Sequence, residues 1–407
     1  EMLKPVRTII LIFITFLAFG VIQKLLFVAL YHSLIGEGAF SAFGSAVIHG
    51  FAMDCSVAGY LTAIPALLLT ASCLTGFKPV RRILNIYFVV AATLEAIITT
   101  VDLGLYSHWG FRLDATPVFY FTTSPASALA SVELWQAICG IAGAALLGFG
   151  LYMALRAASK GMADVARQQR FKAATVTLIA TAALFIPIRG SLTVSTMNLS
   201  HSYFSTNMRL NHAAVNPAFS LLYSLTHQAD FGSRYRFMTD GEADMLMATL
   251  RKSGEYAPDT LLNCNRPDIY LIILESFSAH LMPSLGGEAI ATGLDSIARD
   301  GMLFSRVYAS SFRTDRALPA ILSGFPAQPS TSIMKFTDKV ERLPGIARTL
   351  ADAGYRTAYY YGGDANFTNM KAYLKSSGFE SIVSDTDFPI AERTSKWGAH
   401  DHLVFDR

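Results

Sequence analysis

Two short stretches of the chain carry residue types that suit chemistry on a phosphoryl group. Glu275 directly follows an apolar run at 267–274, and Thr314 lies in a turn crowded with hydroxyls and charges. A carboxylate at the tip of a buried strand is well placed to hold a metal ion, or it caps the segment that follows. The Thr314 hydroxyl precedes a predicted helix, where backbone N–H groups and the helix dipole favour a phosphate. Simple helix capping by Thr314 or Asp315 is the alternative.

Several other polar residues could complete such a site. Arg313 and Arg316 flank Thr314 and could add charge-assisted contacts to phosphoryl oxygens. Asp364 and Asn366 follow the end of a predicted strand, where they serve either as turn and cap residues or as the lining of a pocket. The cluster that begins at His400 has the spacing of a loop leading into a helix rather than of a metal site, although a histidine there could contact substrate.

The elements that must position these residues alternate in type. Apolar runs bounded by turn residues predict strands at 267–276, 302–309, 356–361 and 382–383. Periodic segments between them predict helices at 292–300, 317–323, 343–353 and 367–376. This alternation is typical of an α/β domain with a mainly parallel sheet, whose active site lies at the carboxyl ends of the strands. Glu275 and the turn around Thr314 both follow such ends.

The first half of the chain has a different composition from the rest. Of the 407 residues, 52% are hydrophobic and 15% are charged, whereas a soluble domain typically carries about 25% charged residues. Five apolar segments approach the roughly 20 residues that cross a bilayer, at 9–31, 58–74, 83–103, 134–155 and 173–188. The second segment could begin earlier, near Val47. A net charge of +3 is too small to indicate a nucleic-acid partner, so the predicted partner is the lipid bilayer.

Basic residues set the predicted orientation of these segments. Lys and Arg occur at the N-terminus and in the links after the second and fourth segments, whereas the first link has none and the third has only Arg112. The N-terminus is therefore expected inside the cytoplasm and everything after Arg189 outside it. A few charged residues in or beside the segments either anchor and pair the helices or form a lipid headgroup vestibule: Asp54, Glu95, Asp102 and Arg189.

Three regions follow from these patterns. Residues 1–190 are expected to form a transmembrane domain of five helices, and residues 191–265 a juxtamembrane linker with interfacial helices. Residues 266–407 are expected to form the exported catalytic domain.

These features together resemble the lipoteichoic acid synthase and phosphoglycerol transferase family, in the sulfatase-like branch of the alkaline phosphatase superfamily. The similar motifs are Leu-Glu-Ser-Phe at 274–277, Arg-Thr-Asp at 313–315 and Tyr-Gly-Gly-Asp-Ala-Asn-Phe at 361–367. Trp397 and Gly398 followed by Asp401 also fit. Five N-terminal crossings match the architecture of that family, and the resemblance covers essentially the whole chain.

The resemblance implies specific roles. Glu275 matches a metal ligand, Thr314 a nucleophile that also contacts the metal, and Arg313 a basic neighbour of that threonine. The metal implied is a divalent ion, usually manganese, with magnesium as the alternative. The remaining candidates are assigned to substrate binding: Arg316, Asp364, Asn366, Trp397 and His400.

The implied reaction is a double displacement in a bacterial inner membrane. Threonine attacks the phosphorus of phosphatidylglycerol, diacylglycerol leaves, and glycerophosphate stays on the threonine. A hydroxyl of a cell-envelope acceptor then takes the glycerophosphate.

The sequence departs from the family pattern in two places. The family completes its metal site with an Asp-His pair well after the Trp-Gly segment, whereas this sequence ends at Arg407, so we expect it to be the N-terminal part of such a domain from a longer protein. The Gram-positive enzymes also bind the headgroup through a Trp and an Arg after the third strand. Here residues 367–371 read Phe-Thr-Asn-Met-Lys, which leaves the donor headgroup open.

Two other functions are compatible with the same fold. Phosphoethanolamine transferases share five crossings and a threonine nucleophile. They usually have a Gly-Glu-Thr-like strand end and a disulfide-rich exported domain, whereas this chain has Leu-Glu-Ser at 274–276 and only Cys264 after the crossings. A non-catalytic membrane sensor or scaffold is the third alternative.

Overall fold

The computed structural model describes residues 3–36, 38–76, 79–123, 133–160, 166–191, 193–227, 237–250, 264, 266–329 and 331–407. The chain divides into two compact units. The first contains residues 1–228 and 315–407, and the second contains residues 229–314.

Five helices of the first unit are long and apolar enough to cross a membrane, which confirms the five predicted segments. They are α1 (Lys4–Ile35), α2 (Ala39–Thr75), α3 (Val80–Trp109), α5 (Leu134–Ser159) and a fifth, Arg167–Arg189, that contains α6 (Arg170–Ala183) and α7 (Phe185–Arg189); the short α4 (Thr116–Thr123) lies between α3 and α5. Apolar side chains on their outer faces are exposed, Ile141 by 72%, as expected for helices that lie in lipid.

The start of α2 differs most from its prediction. The helix begins at Ala39, before both the predicted start at residue 58 and the alternative start near Val47, and its 37 residues extend about 55 Å at 1.5 Å per residue. The additional turns carry polar residues, including Asp54, which a search for apolar segments passes over. Within the bundle Asp54 forms a salt bridge with Lys24 of α1, with 2.6 Å between Lys24 Nζ and Asp54 Oδ2. Because its charge is paired, α2 continues through this position. Asp54 therefore pairs two helices.

The segment after α7 folds against the bundle. α8 (Met208–Ala214) and α9 (Pro217–Thr226) each begin behind an asparagine cap, because the side chains of Asn207 and Asn216 accept hydrogen bonds from the first backbone N–H groups. Leu210 and Ala213 of α8 are buried against Phe27 of α1. This segment therefore belongs to the core of the first unit.

The second unit contains α10 (Asp240–Leu250) and α11 (Thr292–Asp300), and it ends where α12 (Thr314–Ser323) begins. The helix predicted at 292–300 is thus confirmed. α12 begins at Thr314, three residues before the predicted start.

The strands predicted at 267–276 and 302–309 are wrong. Neither segment pairs with another strand, and the sheet in the described part of the chain consists of two strands only. Ile272 is 60% exposed and Phe304 is 66% exposed. A strand is stabilised by hydrogen bonds to a neighbouring strand and by burial of its side chains, and an apolar run provides neither by itself.

The last part of the first unit, residues 315–407, contains that sheet. β1 (Ala358–Tyr360) and β2 (Ser381–Val383) pair in parallel, with Ala358 opposite Ser381, which confirms the two later strands as a small parallel sheet. The helices of this part are α13 (Thr337–Val340), α14 (Ile346–Asp352), α15 (Met370–Ser376) and α16 (Asp401–Phe405). Side chains of α12 and α15 form its core: Leu318, Leu322, Met370, Tyr373 and Leu374.

Two predicted helices begin later than expected. α14 begins after Pro344 rather than at 343, because a residue before proline is disfavoured in the helical conformation. α15 follows a 3-10 turn at Phe367–Asn369, in which Thr368 and Asn369 have positive φ angles of 53° and 62°.

Candidate active site

The structure brings together the two residues on which the predicted chemistry depends. Thr314 Oγ1 donates a hydrogen bond to Glu275 Oε1, although 39 residues separate them in the chain. Both lie in the second unit. Glu275 is exposed and Thr314 is half-buried, so the pair is open to a substrate.

Glu275 is not the cap of the segment that follows it. A 3-10 turn at Ala279–Leu281 begins behind Ser278, whose side chain accepts a hydrogen bond from the His280 N–H at 3.3 Å. The backbone turns sharply before it, since Ser276 has a φ of 57°, a left-handed conformation that is unusual for serine. Non-glycine residues in that conformation often occur at functional sites. The Glu275 carboxylate is thereby left to bond Thr314.

Thr314 is the first residue of α12. The first N–H groups of a helix have no partner within the helix, and together with the helix dipole they favour an anion. The Ser311 Oγ accepts a hydrogen bond from the Arg313 N–H at 3.2 Å, which shapes the turn before the helix. The Arg313 side chain is exposed and is therefore free to move toward a substrate.

Arg316 has a defined contact with the protein. Its Nη1 donates to the Pro329 carbonyl oxygen at 2.5 Å, which ties the first turn of α12 to the loop after that helix. A substrate contact by Arg316 stays a prediction.

Asp364 is held by side chains of the segment after α7. Its Oδ2 accepts hydrogen bonds from the Thr193 hydroxyl at 2.6 Å and from the Ser195 hydroxyl at 2.5 Å, and its Oδ1 accepts one from the Asn366 N–H at 2.9 Å. Burial by itself would raise the pKa of Asp364, but the hydrogen bonds from Ser195 and Thr193 outweigh it and hold the pKa below its ordinary value. These contacts favour a structural role for Asp364, and its contact with substrate stays a prediction.

The other three candidates lie near one another in the chain but are not gathered around a common partner. The Asn366 carbonyl oxygen accepts a hydrogen bond from Asn198 Nδ2 at 2.8 Å. Trp397 is 62% exposed and packs edge-on against Phe367, with 6.4 Å between the ring centres. His400 directly precedes α16, is exposed, and stacks with His402.

Glu275 and Thr314 carry the type of donor atom that hard divalent metal ions prefer. Among the described residues no group of three or more His, Cys, Asp and Glu side chains is arranged to hold a metal ion. Glu275 and Thr314 offer a carboxylate and a hydroxyl, and oxygen donors are the ligands that Mg²⁺ and Mn²⁺ prefer. The pair is thus a fitting part of a coordination shell, which needs further ligands from other residues, water or substrate.

Sequence reasoning missed the contacts that join residues 315–407 to the rest of the first unit. His212 Nε2 lies 2.7 Å from Glu341 Oε1, and the Tyr203 hydroxyl donates to the same oxygen at 3.0 Å. Asn369 Nδ2 donates to the Tyr223 hydroxyl at 2.9 Å. These partners are more than 100 residues apart, so no local pattern could have paired them.

Comparison with known proteins bears on the second half of the chain. A family model described as Sulfatase matches residues 267–407. This match covers Glu275, Thr314 and every other candidate site residue, and it supports the resemblance to the sulfatase-like branch of the alkaline phosphatase superfamily. No solved structure gives a significant match. The sulfatase match fits a hydrolase or transferase that acts on phosphoryl or sulfuryl groups.

Proposed function

We propose that the protein is a membrane-bound phosphoglycerol transferase that uses Thr314 as its nucleophile. The observation that carries the proposal is the hydrogen bond between Thr314 and Glu275, formed at the first residue of a helix inside the sulfatase match. The five apolar helices support a donor that resides in the bilayer, for which we propose phosphatidylglycerol.

The proposed reaction proceeds in two balanced steps. The Thr314 oxygen forms a bond to phosphorus while the bond from phosphorus to the diacylglycerol oxygen breaks. The threonine loses its hydroxyl proton and the departing oxygen gains one, so diacylglycerol leaves and glycerophosphate remains on Thr314. An acceptor hydroxyl in the cell envelope then forms a bond to phosphorus while the bond from phosphorus to the Thr314 oxygen breaks; the acceptor loses its hydroxyl proton and the threonine oxygen regains one.

The geometry suits the first step in two ways. Because the Thr314 hydroxyl donates to Glu275, its hydrogen is directed at the carboxylate and its lone pairs are left for the phosphorus. The N–H groups at the start of α12 and the neighbouring Arg313 provide positive potential for the oxygens of the phosphoryl group.

We further propose that Glu275 and Thr314 contribute to a site for manganese or, alternatively, magnesium. A divalent ion bound there would neutralise charge on the phosphoryl oxygens and favour the ionised threonine. Glu275 would hold it through its carboxylate.

The membrane setting completes the proposal. From the basic loops we propose that the N-terminus lies in the cytoplasm and the catalytic domain lies outside the cytoplasmic membrane of a bacterium. There the enzyme would meet both the lipid donor and an envelope acceptor.

The test follows release of diacylglycerol from fluorescent phosphatidylglycerol by the protein reconstituted in vesicles. Phosphatidylethanolamine vesicles are run in parallel, and Thr314 is examined by mass spectrometry for a glycerophosphate adduct. Release from phosphatidylglycerol together with the adduct is expected. Release from phosphatidylethanolamine alone would identify a phosphoethanolamine transferase instead, and release from neither lipid in the presence of manganese would overturn the proposal.

A further inference from the structure

A cavity opens in the first unit just after α3. It has a volume of about 70 Å³ and is open on one side. Its walls come from the loop after α3, from α8 and α9, and from residues 335–338. Neither Glu275 nor Thr314 contributes to it. The space suits a small polar molecule or a headgroup rather than a whole lipid.

Two carboxylates line this cavity without a salt bridge to a described residue, and one of them, Asp114, accepts hydrogen bonds from the N–H and the hydroxyl of Thr116. Asp114 and Asp338 both contribute to the wall, and neither forms a salt bridge with any residue in the described part of the chain. Burial raises the pKa of Asp338 and the Asp114 carboxylate raises it further, whereas Lys339 and backbone hydrogen bonds lower it in part, so the net effect is a raised pKa. Two carboxylates brought together in this way favour a cation between them.

Donors line the same cavity. The side chain of Arg112 is 5% exposed; its Nη2 lies 2.9 Å from Asp102 Oδ2, and its Nη1 donates to the His212 carbonyl oxygen at 3.0 Å. Its buried Nε has no hydrogen-bond partner among the described residues, which is uncommon for a buried donor. Lys335 also lines the cavity and makes no salt bridge with a described residue. These groups favour an anion.

Contacts with neighbouring residues fix the side chains that line the cavity. Tyr223 lines the cavity, stacks on the His227 ring at 4.1 Å between ring centres, and accepts a hydrogen bond from Asn369 Nδ2. Arg112 lies over the Phe27 ring, 4.5 Å from its centre. A wall fixed in this way keeps its shape before a ligand enters, and such preformed sites lose less entropy on binding.

We propose that this cavity binds a phosphoethanolamine group, with its ammonium between Asp114 and Asp338 and its phosphate on Arg112 and Lys335. A zwitterion supplies a counter-charge to the two carboxylates and to Lys335, none of which forms a salt bridge with a described residue, whereas a simple anion would meet the two carboxylates and a simple cation would meet the lysine. α3 is one of the five apolar helices, so a cavity three residues past its end lies at the depth of lipid headgroups when α3 crosses a bilayer. The source of the group is then a zwitterionic phospholipid or a soluble phosphoethanolamine compound.

The proposal is tested by binding, in a protein that cannot turn over substrate. The whole chain carrying Thr314→Ala is purified in detergent, and phosphoethanolamine, phosphocholine, glycerol phosphate and inorganic phosphate are titrated in a calorimeter. Phosphoethanolamine is expected to bind at least about tenfold more tightly than the other three, because each of them lacks the N–H donors for the carboxylates. Equal binding of glycerol phosphate or inorganic phosphate would overturn the proposal, as would no binding of phosphoethanolamine.

Variants show whether binding occurs in this cavity. Asp338→Asn keeps the shape of the side chain and should weaken phosphoethanolamine binding about tenfold, and Lys335→Gln should do the same. Asp406→Asn, at an exposed aspartate, is the matched control and should leave affinity unchanged. Circular dichroism confirms that each variant is folded. Wild-type affinity in both folded cavity variants would overturn the assignment.

The two sources of the ligand are separated with nanodiscs. The same protein is placed in discs of phosphatidylethanolamine or of phosphatidylcholine, and soluble phosphoethanolamine is then titrated. If the lipid headgroup occupies the cavity, soluble phosphoethanolamine binds more weakly in the phosphatidylethanolamine discs. If affinity is equal in both discs, the cavity takes the soluble compound. Because binding is measured without turnover, its failure would leave the proposed transferase reaction standing.

Discussion

At the scale of single residues, the proposed reaction depends on the hydrogen bond between Thr314 and Glu275. The carboxylate accepts from the hydroxyl, and the hydroxyl begins a helix. Neither feature alone would distinguish the threonine from an ordinary helix cap. Their combination supports the proposal that the Thr314 oxygen is the nucleophile, since the first N–H groups of a helix favour an anion.

Replacing Thr314 tests its role as nucleophile. Thr314→Ala removes the attacking oxygen, so diacylglycerol release should fall to the level of vesicles without protein. Thr314→Ser keeps a hydroxyl at the same position and should retain measurable release. The readout is the initial rate with fluorescent phosphatidylglycerol. Wild-type release by Thr314→Ala would rule out the covalent mechanism.

Replacing Glu275 tests whether the charge of its carboxylate holds the metal ion. Glu275→Gln keeps the shape of the side chain but removes its charge, so bound manganese and turnover should fall together. Glu288→Gln changes an exposed glutamate of the same unit and serves as the control. Metal content is measured by elemental analysis after dialysis, alongside diacylglycerol release. Unchanged manganese content in the Glu275 variant would exclude that carboxylate as a ligand.

At the scale of elements, the part of the chain after α7 acts as a connector between the helical bundle and residues 315–407. Thr193 and Ser195 hold Asp364, Tyr203 and His212 hold Glu341, and α8 is buried among α1 and α2. The connector makes polar and apolar contacts on both sides: Asn216 Nδ2 donates to Asp54 Oδ1 of the bundle at 3.0 Å, and Ala372 packs in one apolar cluster with Met197 and Leu199. We therefore expect the connector to be a sensitive point for stability.

Asp364→Asn tests that expectation through its dependence on pH. The pKa of Asp364 is lowered in the folded protein, so its stabilising effect is present above the ordinary pKa of about 3.9 and is lost as the pH falls through the lower folded value. At pH 6 the variant should be less stable by about 2 kcal/mol, the typical contribution of a hydrogen bond to a charged group. The difference should shrink as the pH falls below about 4.

Thermal unfolding of the purified chain, followed by circular dichroism at several pH values, provides the measurement. Asp406→Asn is the control, since Asp406 is exposed. A stability difference between wild type and Asp364→Asn that does not change with pH would contradict the role assigned to this carboxylate.

At the scale of the whole molecule, the open question is which side of the membrane carries the second half of the chain. The alternation of basic loops predicts that everything after Arg189 is exported. The five helices satisfy the length requirement for five crossings, and an odd number of crossings puts the two ends on opposite sides.

Reporter fusions at Asp230 test this orientation. Alkaline phosphatase is active only outside the cytoplasm. Green fluorescent protein fluoresces inside the cytoplasm but not after export through the general secretory pathway. We expect phosphatase activity without fluorescence. The same fusions after Lys160, in a predicted cytoplasmic loop, should give the opposite result. Fluorescence without phosphatase activity at Asp230 would invert the orientation.

The sequence by itself determined the features that depend on composition and on local order. Five apolar segments predict five helices because a helix satisfies its backbone hydrogen bonds within its own segment. The helix at 292–300 and the two later strands were predicted from local periodicity in the same way. Glu275 and Thr314 were singled out because their residue types and their places beside turns suit phosphoryl chemistry.

Only the tertiary structure decided what depends on partners far apart in the chain. The runs at 267–276 and 302–309 look like buried strands, yet a strand exists only beside another strand, and none pairs with them in the described residues. The sequence predicts Asp364 either as a turn residue or as the lining of a pocket, whereas its hydrogen bond to Ser195, 169 positions earlier, is visible only in the fold. Hydrogen bonds and burial act over a few ångströms in space, regardless of separation along the chain. For this reason the reactive pair could be suspected from the sequence, whereas its hydrogen bond, the connector and the charged cavity became known only from the fold.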